Sequence, residues 1–306
     1  MGLFRRSAPP SPPDPHLPLT LAQAAKLRDL VRTTFAEAGL EVVVHADHME
    51  DDGGRTLGLW NLAALCNDAP EREWPDLVRR HVTALVDPED IESLTDDDLL
   101  GSVHLRLVER AGFPDPSWHP QAVAVGADLL AILSVDLPET VSTPREDYWD
   151  ERGGLARWRL TGRANLVAVA LSDELEHRRV GTDGGAGAFD VVTGDSFFTG
   201  STALVADHLV RRFSPGTDFS LGLLVGVPFR HQVVWRVLDG TPDSALAMEN
   251  LFRFTMVGFS DAPGPLSPNL FWVCGDEWRQ VTRIADDKAH VEVDEELARA
   301  LGISGP

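Results

Sequence analysis

Positive charge is what this sequence has least of. Lys26 and Lys288 are its two lysines, arginine supplies the rest of its 27 basic side chains, and 48 acidic residues leave a net charge of −21. Such a surface repels phosphate backbones and anionic lipid headgroups over a screening length of about 8–10 Å at ordinary salt, so nucleic acid and membrane surfaces are excluded as expected partners. Cysteine is equally scarce. Cys66 and Cys274 are too few for a disulfide framework and lack the paired spacing of a structural zinc site, so both are expected as buried thiols. Long apolar runs are missing too: residues 129–133 and 221–229 are the longest, well short of the ~20 needed for a membrane-spanning helix. Residues 1–18 carry Arg5 and Arg6 and then six prolines, from Pro9 to Pro18, where an export signal needs an apolar stretch. They are expected to form a disordered tail, and the protein to be cytoplasmic.

The body has a globular composition, with 43% hydrophobic and 25% charged residues. At 306 residues there is room for two modules. Thr20 and Gln23 have capping-box spacing ahead of Leu21, Ala24, Leu27, Leu30 and Val31, which predicts a long first helix ending near Gly39. Residues 40–46 and 55–60 are β-like and are joined through a turn at Asp51, Asp52, Gly53 and Gly54, predicting a hairpin. Residues 88–100 are acidic and loop-like. Further strands are expected at 103–108, 122–125, 129–135, 189–192, 220–228, 232–238 and 269–275. Helices are expected at 163–175, 201–213, from Pro242 onward and at 294–301.

Strands come as neighbours in hairpins instead of alternating with helices, which predicts an α+β fold of mostly antiparallel sheets flanked by helices. The stretch 144–160, with mixed charge, glycine, Tyr148 and Trp149, is expected as a linker or exposed loop between an N-terminal α+β module (19–143) and a C-terminal one (161–306).

Several segments carry a resemblance. Gly58-Leu59-Trp60-Asn61-Leu62 precedes a helix, residues 128–135 lead into Asp136-Leu137-Pro138, and Ala164-Asn165-Leu166, Val225-Gly226-Val227-Pro228-Phe229-Arg230 and Leu266-Ser267-Pro268-Asn269-Leu270-Phe271 follow. Together they resemble the YtpQ-like group, a bacterial family that pairs an N-terminal module with a C-terminal half of similar size. The resemblance implies fold kinship and a cytosolic location; it supplies no activity. Where that family has a polar pair after the proline, this chain has Phe229-Arg230-His231-Gln232.

Three groups of residues could carry chemistry. His45, Asp47, His48 and Glu50 are all ligand types a metal accepts. On a continuous strand, however, His45 and Asp47 would share one face and His48 and Glu50 the other, so convergence requires a bend. Gly194-Asp195-Ser196 with Asp207 and His208 downstream offers the residue types of a hydrolase, Ser196 as nucleophile and His208 as base, without the G-x-S-x-G elbow. Arg230 and His231 follow the apolar strand end Val227-Pro228-Phe229 and are the expected binding residues. Residues 181–187 are glycine-rich but lack the lysine of a phosphate loop and are expected as a surface loop. Trp235, Phe252, Phe254, Phe259, Phe271, Trp272 and Trp278 are expected to form a C-terminal core with an apolar-aromatic groove at its edge.

These features favour a non-enzymatic binding or accessory protein with an acidic surface, no cofactor and a cationic or apolar protein partner. A hydrolase with its site near Ser196, His208 and Arg230, and a metal-binding protein using residues 45–50, are the alternatives.

Overall fold

The hydroxyl of Thr20 accepts the backbone N–H of Gln23 at 3.4 Å while the Gln23 side-chain oxygen accepts that of Thr20 at 3.1 Å. This reciprocal cap starts helix α1 (Leu21–Glu37), whose Ala24, Leu27, Val31 and Phe35 recur at helical spacing and are buried. The computed structural model describes residues 11–51, 56–86, 91–111, 117, 119–137, 141–182, 185–262, 264–285 and 288–303. The chain forms an α+β fold divided into two units, Met1–Glu89 and Asp90–Pro306.

In the first unit α1 is joined by strands β1 (Val42–Val44), β2 (His48–Asp51) and β3 (Thr56–Gly58), antiparallel in that order, and by helices α2 (Trp60–Asn67) and α3 (Trp74–Val86). Leu27, Val31, Phe35, Met49, Leu62 and Trp74 meet in its core, with Cys66 among them; burial pushes the Cys66 thiol up to about 11. The hairpin expected between 40–46 and 55–60 contains an additional strand, β2, because the chain already reverses at Ala46 and Asp47. The turn expected at Asp51–Gly54 lies largely outside the described residues.

The described part of the proline-rich segment is folded. Leu17 and Leu19 are buried in the core of this unit, and Asp14 accepts the backbone N–H groups of His16 and Leu17 and pairs with Arg28 at 3.1 Å. Burial alone would raise the Asp14 carboxyl, but these hydrogen bonds and the guanidinium prevail and hold it below the usual range. A disordered tail therefore does not extend over residues 11–18; residues 1–10 lie outside the described ones.

The first α-helix of the second unit is α4 (Asp96–Ser102), which follows a 3-10 turn at Ile91–Ser93 and is capped by Thr95 and Asp98 inside the acidic stretch expected as a loop. Strands β4 (Val103–Glu109), β5 (Val123–Val125), β6 (Leu129–Asp136) and β7 (Val141–Ser142) form a small antiparallel sheet with β6 at its centre. Helices α5 (Glu146–Asp150) and α6 (Leu155–Ala170) follow. The segment 144–160, expected as a linker, lies inside this unit: Trp149 and Trp158 are fully buried with ring centroids 5.6 Å apart. Two such rings in contact remove more apolar surface from water than an exposed loop could supply. Gly162 lets α6 press onto β4, since a Cβ there would lie 2.9 Å from the Leu105 backbone nitrogen.

Next come β8 (Glu176–Val180), β9 (Phe189–Thr193), a 3-10 turn (Gly200–Val205), α7 (Ala206–Phe213), β10 (Leu223–Gly226), β11 (Gln232–Val237) and α8 (Pro242–Asp261). After them lie β12 (Leu270–Cys274), β13 (Glu277–Gln280), β14 (Thr282–Ala285), β15 (Lys288–Val291) and α9 (Glu295–Ala300). Six strands form one antiparallel sheet in the order β13-β12-β10-β11-β9-β8, while β14 and β15 pair separately. Trp235, Phe271 and Trp272 are buried in this sheet as expected, whereas Cys274 is only half-buried. No helix among the described residues is long and apolar enough to cross a membrane.

Candidate functional site

Side chains alternate along β4, so His104 and Arg106 share the face opposite Leu105 and Leu107. On β6 their cross-strand partners are Ser134 and Ile132. Thr143 ties this polar face together: its hydroxyl accepts Arg106 Nη1 at 3.3 Å and lies 2.9 Å from the Ser134 hydroxyl. Two phenylalanines cover the face. The His104 ring stacks on Phe198 with centroids 4.3 Å apart, and the Arg106 guanidinium carbon sits 4.7 Å from the centre of Phe197.

The connection between β10 and β11 brings a second guanidinium to the same ring. Arg230 lies 4.5 Å from the Phe197 centroid and donates its Nε–H to His231 Nε2 at 3.0 Å. His231 in turn directs Nδ1 at the Gly194 carbonyl, 3.1 Å away; because a carbonyl can only accept, Nδ1 carries the proton and Nε2 is the acceptor. The backbone that holds these groups is tightly fitted. Gly200 N–H donates to the Arg230 carbonyl at 2.6 Å, and a Cβ at Gly200 would meet the Phe229 carbonyl oxygen at 2.8 Å. Arg230 N–H donates to the Gly264 carbonyl at 3.0 Å.

The electrostatics of this group run against the rest of the molecule. Burial, and next the nearby Arg230, push the Arg106 guanidinium down to about 10, and burial lowers Arg230 as well. Burial and then Arg230 push His231 below the ordinary imidazole value, against weaker opposing pulls from the Gly194 and Ser196 carbonyls and Asp195. His231 is therefore neutral at pH 7. Among the described residues no carboxylate forms an ion pair with Arg106 or Arg230. Several other arginines have carboxylate partners: Arg28 with Asp14, Arg211 with Asp207, Arg212 with Asp173, and Arg236 with Asp239 and Asp243.

Of the residues expected for a hydrolase, Ser196 comes beside Arg230 and His231, one residue from Phe197. Its hydroxyl accepts the Phe198 N–H at 3.2 Å and its carbonyl accepts the Thr199 hydroxyl at 2.8 Å, so the residue shapes the turn that presents the two phenylalanines. His208 is on α7, exposed, with Nε2 3.8 Å from Asp207. No hydrogen bond among the described residues joins the Ser196 hydroxyl to either imidazole. The glycine-rich stretch connects β8 to β9, with residues 183–184 outside the described ones.

A cleft of about 500 Å³ lies on the other face of the small sheet, floored by Leu105, Val125, Ala131 and Trp278 and edged by Arg163 and Arg211. Its cations are already engaged: Arg163 donates to the Leu204 carbonyl at 3.0 Å and Arg211 pairs with Asp207 at 2.9 Å. The Arg106–Arg230 group has hydrogen bonds to Thr143 and His231 but no carboxylate partner among the described residues. Arg106 is the member that sequence reasoning missed, since only tertiary packing joins it to Arg230.

The metal candidates in the first unit do converge. Val44 pairs with Met49 across the β1–β2 hairpin, and the His45 N–H donates to the His48 carbonyl at 2.8 Å. Because the chain reverses between them, His45 and His48 stand opposite each other on one face, with Glu50 two residues along on the same side. The other face carries buried Met49. The bend that strand alternation required is this turn. His45, His48 and Glu50 each offer a ligand atom within 4.8 Å of the others. Asp47 accepts from His48 Nδ1 at 2.7 Å, and that bond, foremost, holds its carboxyl below the usual range.

No family model, curated protein or solved structure matches the chain.

Proposed function

We propose that the protein is a non-enzymatic cytosolic binding protein whose second unit holds an anionic group, a carboxylate or a phosphate, between Arg106 and Arg230. The observation that carries this reading is the pair of half-buried guanidiniums on one phenylalanine ring, without a carboxylate partner among the described residues of a chain that has 48 acidic side chains. Removing a charge from water without pairing it costs several kcal/mol, and a second like charge near enough to be felt adds to that. A bound anion relieves both terms at once, through charge-assisted and bidentate hydrogen bonds from the guanidinium forks.

The surrounding groups suit recognition better than catalysis. Both ring nitrogens of His231 are already engaged, and the Ser196 hydroxyl is engaged with the Phe198 N–H, which leaves this group without a paired nucleophile and base. The acidic surface favours a cationic or apolar partner in general. The Arg106–Arg230 group is a local patch of opposite sign that selects the anionic end of its ligand.

A thermal-shift panel of inorganic phosphate, pyrophosphate and di- and tricarboxylates tests the reading, with chloride matched for ionic strength. Binding to the folded state raises the midpoint in proportion to ln(1 + [L]/Kd). One class of anion is expected to stabilise the wild type and to leave Arg230→Ala unmoved. Equal shifts in both proteins, or no shift beyond chloride in the wild type, would count against it.

A further inference from the structure

We infer that the β1–β2 hairpin is a binding site for a divalent transition metal of the zinc type, with His45, His48 and Glu50 as its protein ligands and Asp47 orienting His48. The site belongs to the first unit and uses none of the residues on which the anion-binding reading stands.

His45 Nε2 lies 3.8 Å from one Glu50 carboxylate oxygen and His48 Nε2 lies 3.7 Å from the other. Both separations exceed the usual N–H···O range of ~2.7–3.2 Å, so neither contact is a direct hydrogen bond. Two ligands each about 2.0–2.1 Å from a tetrahedral zinc ion are themselves roughly 3.4 Å apart. The two histidine–carboxylate separations are a few tenths of an ångström wider than in a coordinated set, and the three ligand atoms together lie within 4.8 Å of one another, so closing on one ion takes torsional adjustment of exposed side chains.

The two imidazoles are stacked, so both rings must swing out of the stack for their in-plane lone pairs to meet on one ion. The His45 and His48 imidazoles lie with centroids 4.4 Å apart and planes 17° apart, each with Nε2 toward the same carboxylate. Asp47, 2.7 Å from His48 Nδ1, fixes the proton on that nitrogen and leaves the Nε2 lone pair for a metal. A carboxylate behind a ligating histidine is the usual outer support of such ligands. Two imidazoles and one carboxylate favour zinc and its neighbours over magnesium or calcium, which take all-oxygen sets. Three protein ligands at a half-exposed surface leave a coordination position for water.

The hairpin explains why residues 45–50 can do this without disturbing the core. Val42, Val44 and Met49 take the inner face, so the outer face is free to be polar. A metal there would tie β1 to β2 across the turn and stabilise the folded unit.

Titration calorimetry of Zn2+ into the full-length, chelator-stripped protein tests the site. One ion per chain is expected, with weak or no binding of Mg2+ under the same conditions. His45→Ala and His48→Ala should each weaken binding by at least about tenfold, Asp47→Asn by about tenfold through loss of the outer support, and His290→Ala should leave it unchanged. Co2+ in place of zinc should give a visible absorption band that His48→Ala abolishes. Circular dichroism establishes that each variant is folded; Glu50→Gln, nearly isosteric, carries the test if an alanine variant is not. Zinc binding that survives in the His45→Ala, His48→Ala double variant, or absence of a one-to-one complex in the wild type, overturns the assignment.

Discussion

Arg230 donates its Nε–H to the Nε2 of the next residue, His231, across 3.0 Å, and His231 is anchored through Nδ1 to the Gly194 carbonyl. This chain of two bonds fixes the orientation of a planar guanidinium. On the anion-binding proposal, His231 acts through Arg230 as a positioning residue. His231→Ala is expected to weaken anion binding by about tenfold, and His231→Gln, which keeps an acceptor, to restore part of the loss. Calorimetric affinities of the two variants measure the difference; equal loss in both would contradict a positioning role.

Arg106 offers a test in which stability and binding move in opposite directions. In anion-free buffer its desolvated charge, next to Arg230, is unfavourable, and Arg106→Met keeps the stem while removing that charge. The variant is expected to be neutral or up to about 1 kcal/mol more stable to urea, while losing anion binding. A large destabilisation in the absence of any anion would mean that the guanidinium has a compensating partner.

Acid should weaken the second unit through His104. Burial holds its folded-state pKa below the ordinary 6.5, against the Ser102 carbonyl and Asp136. Above that value both the folded and the unfolded chain are neutral here. As pH falls through it the unfolded chain takes up a proton that the folded chain refuses, so stability is lost downward from about pH 7. The thermal midpoint of wild type is expected to drop more steeply between about pH 7.5 and 5.5 than that of His104→Gln, and parallel slopes would show that another group controls the acid limb.

The antiparallel α+β architecture was legible because its cues are local. Thr20 and Gln23 cap α1, Pro242 opens α8, and paired apolar runs mark β10 and β11. Other features were hidden for identifiable reasons. Strand alternation places His45 and His48 on opposite faces only if the chain runs straight; the reversal at Ala46 and Asp47 puts them on one. Trp149 and Trp158 sit amid charged residues that resemble a loop, yet the charges stay at the surface while the rings enter the core. The capping box that begins α4 uses Asp98 where glutamate or glutamine is usual. No sequence signal links Arg106 to Arg230, because their proximity depends on how β4, the turn around Phe197 and the β10–β11 connection pack.

The folded start of the described chain makes its own prediction. Leu17 is 4% exposed and belongs to the core formed by α1, α2 and α3. Leu17→Ala is expected to destabilise the protein by about 2–4 kcal/mol in chemical denaturation, as a core truncation does. A change within about 0.5 kcal/mol, typical of a surface site, would return this segment to the status of a tail.

On the anion-binding proposal, Arg106 and Arg230 act together on one anion. Titration calorimetry of inorganic phosphate at fixed chloride, into wild type, Arg106→Met, Arg230→Ala and the double variant, tests it most directly. Saturable one-to-one binding in the wild type, with each single variant losing nearly as much affinity as the double, is the result expected of two groups serving one ligand. Binding of the same strength in all four proteins, or none in the wild type together with none for a carboxylate in its place, would contradict it.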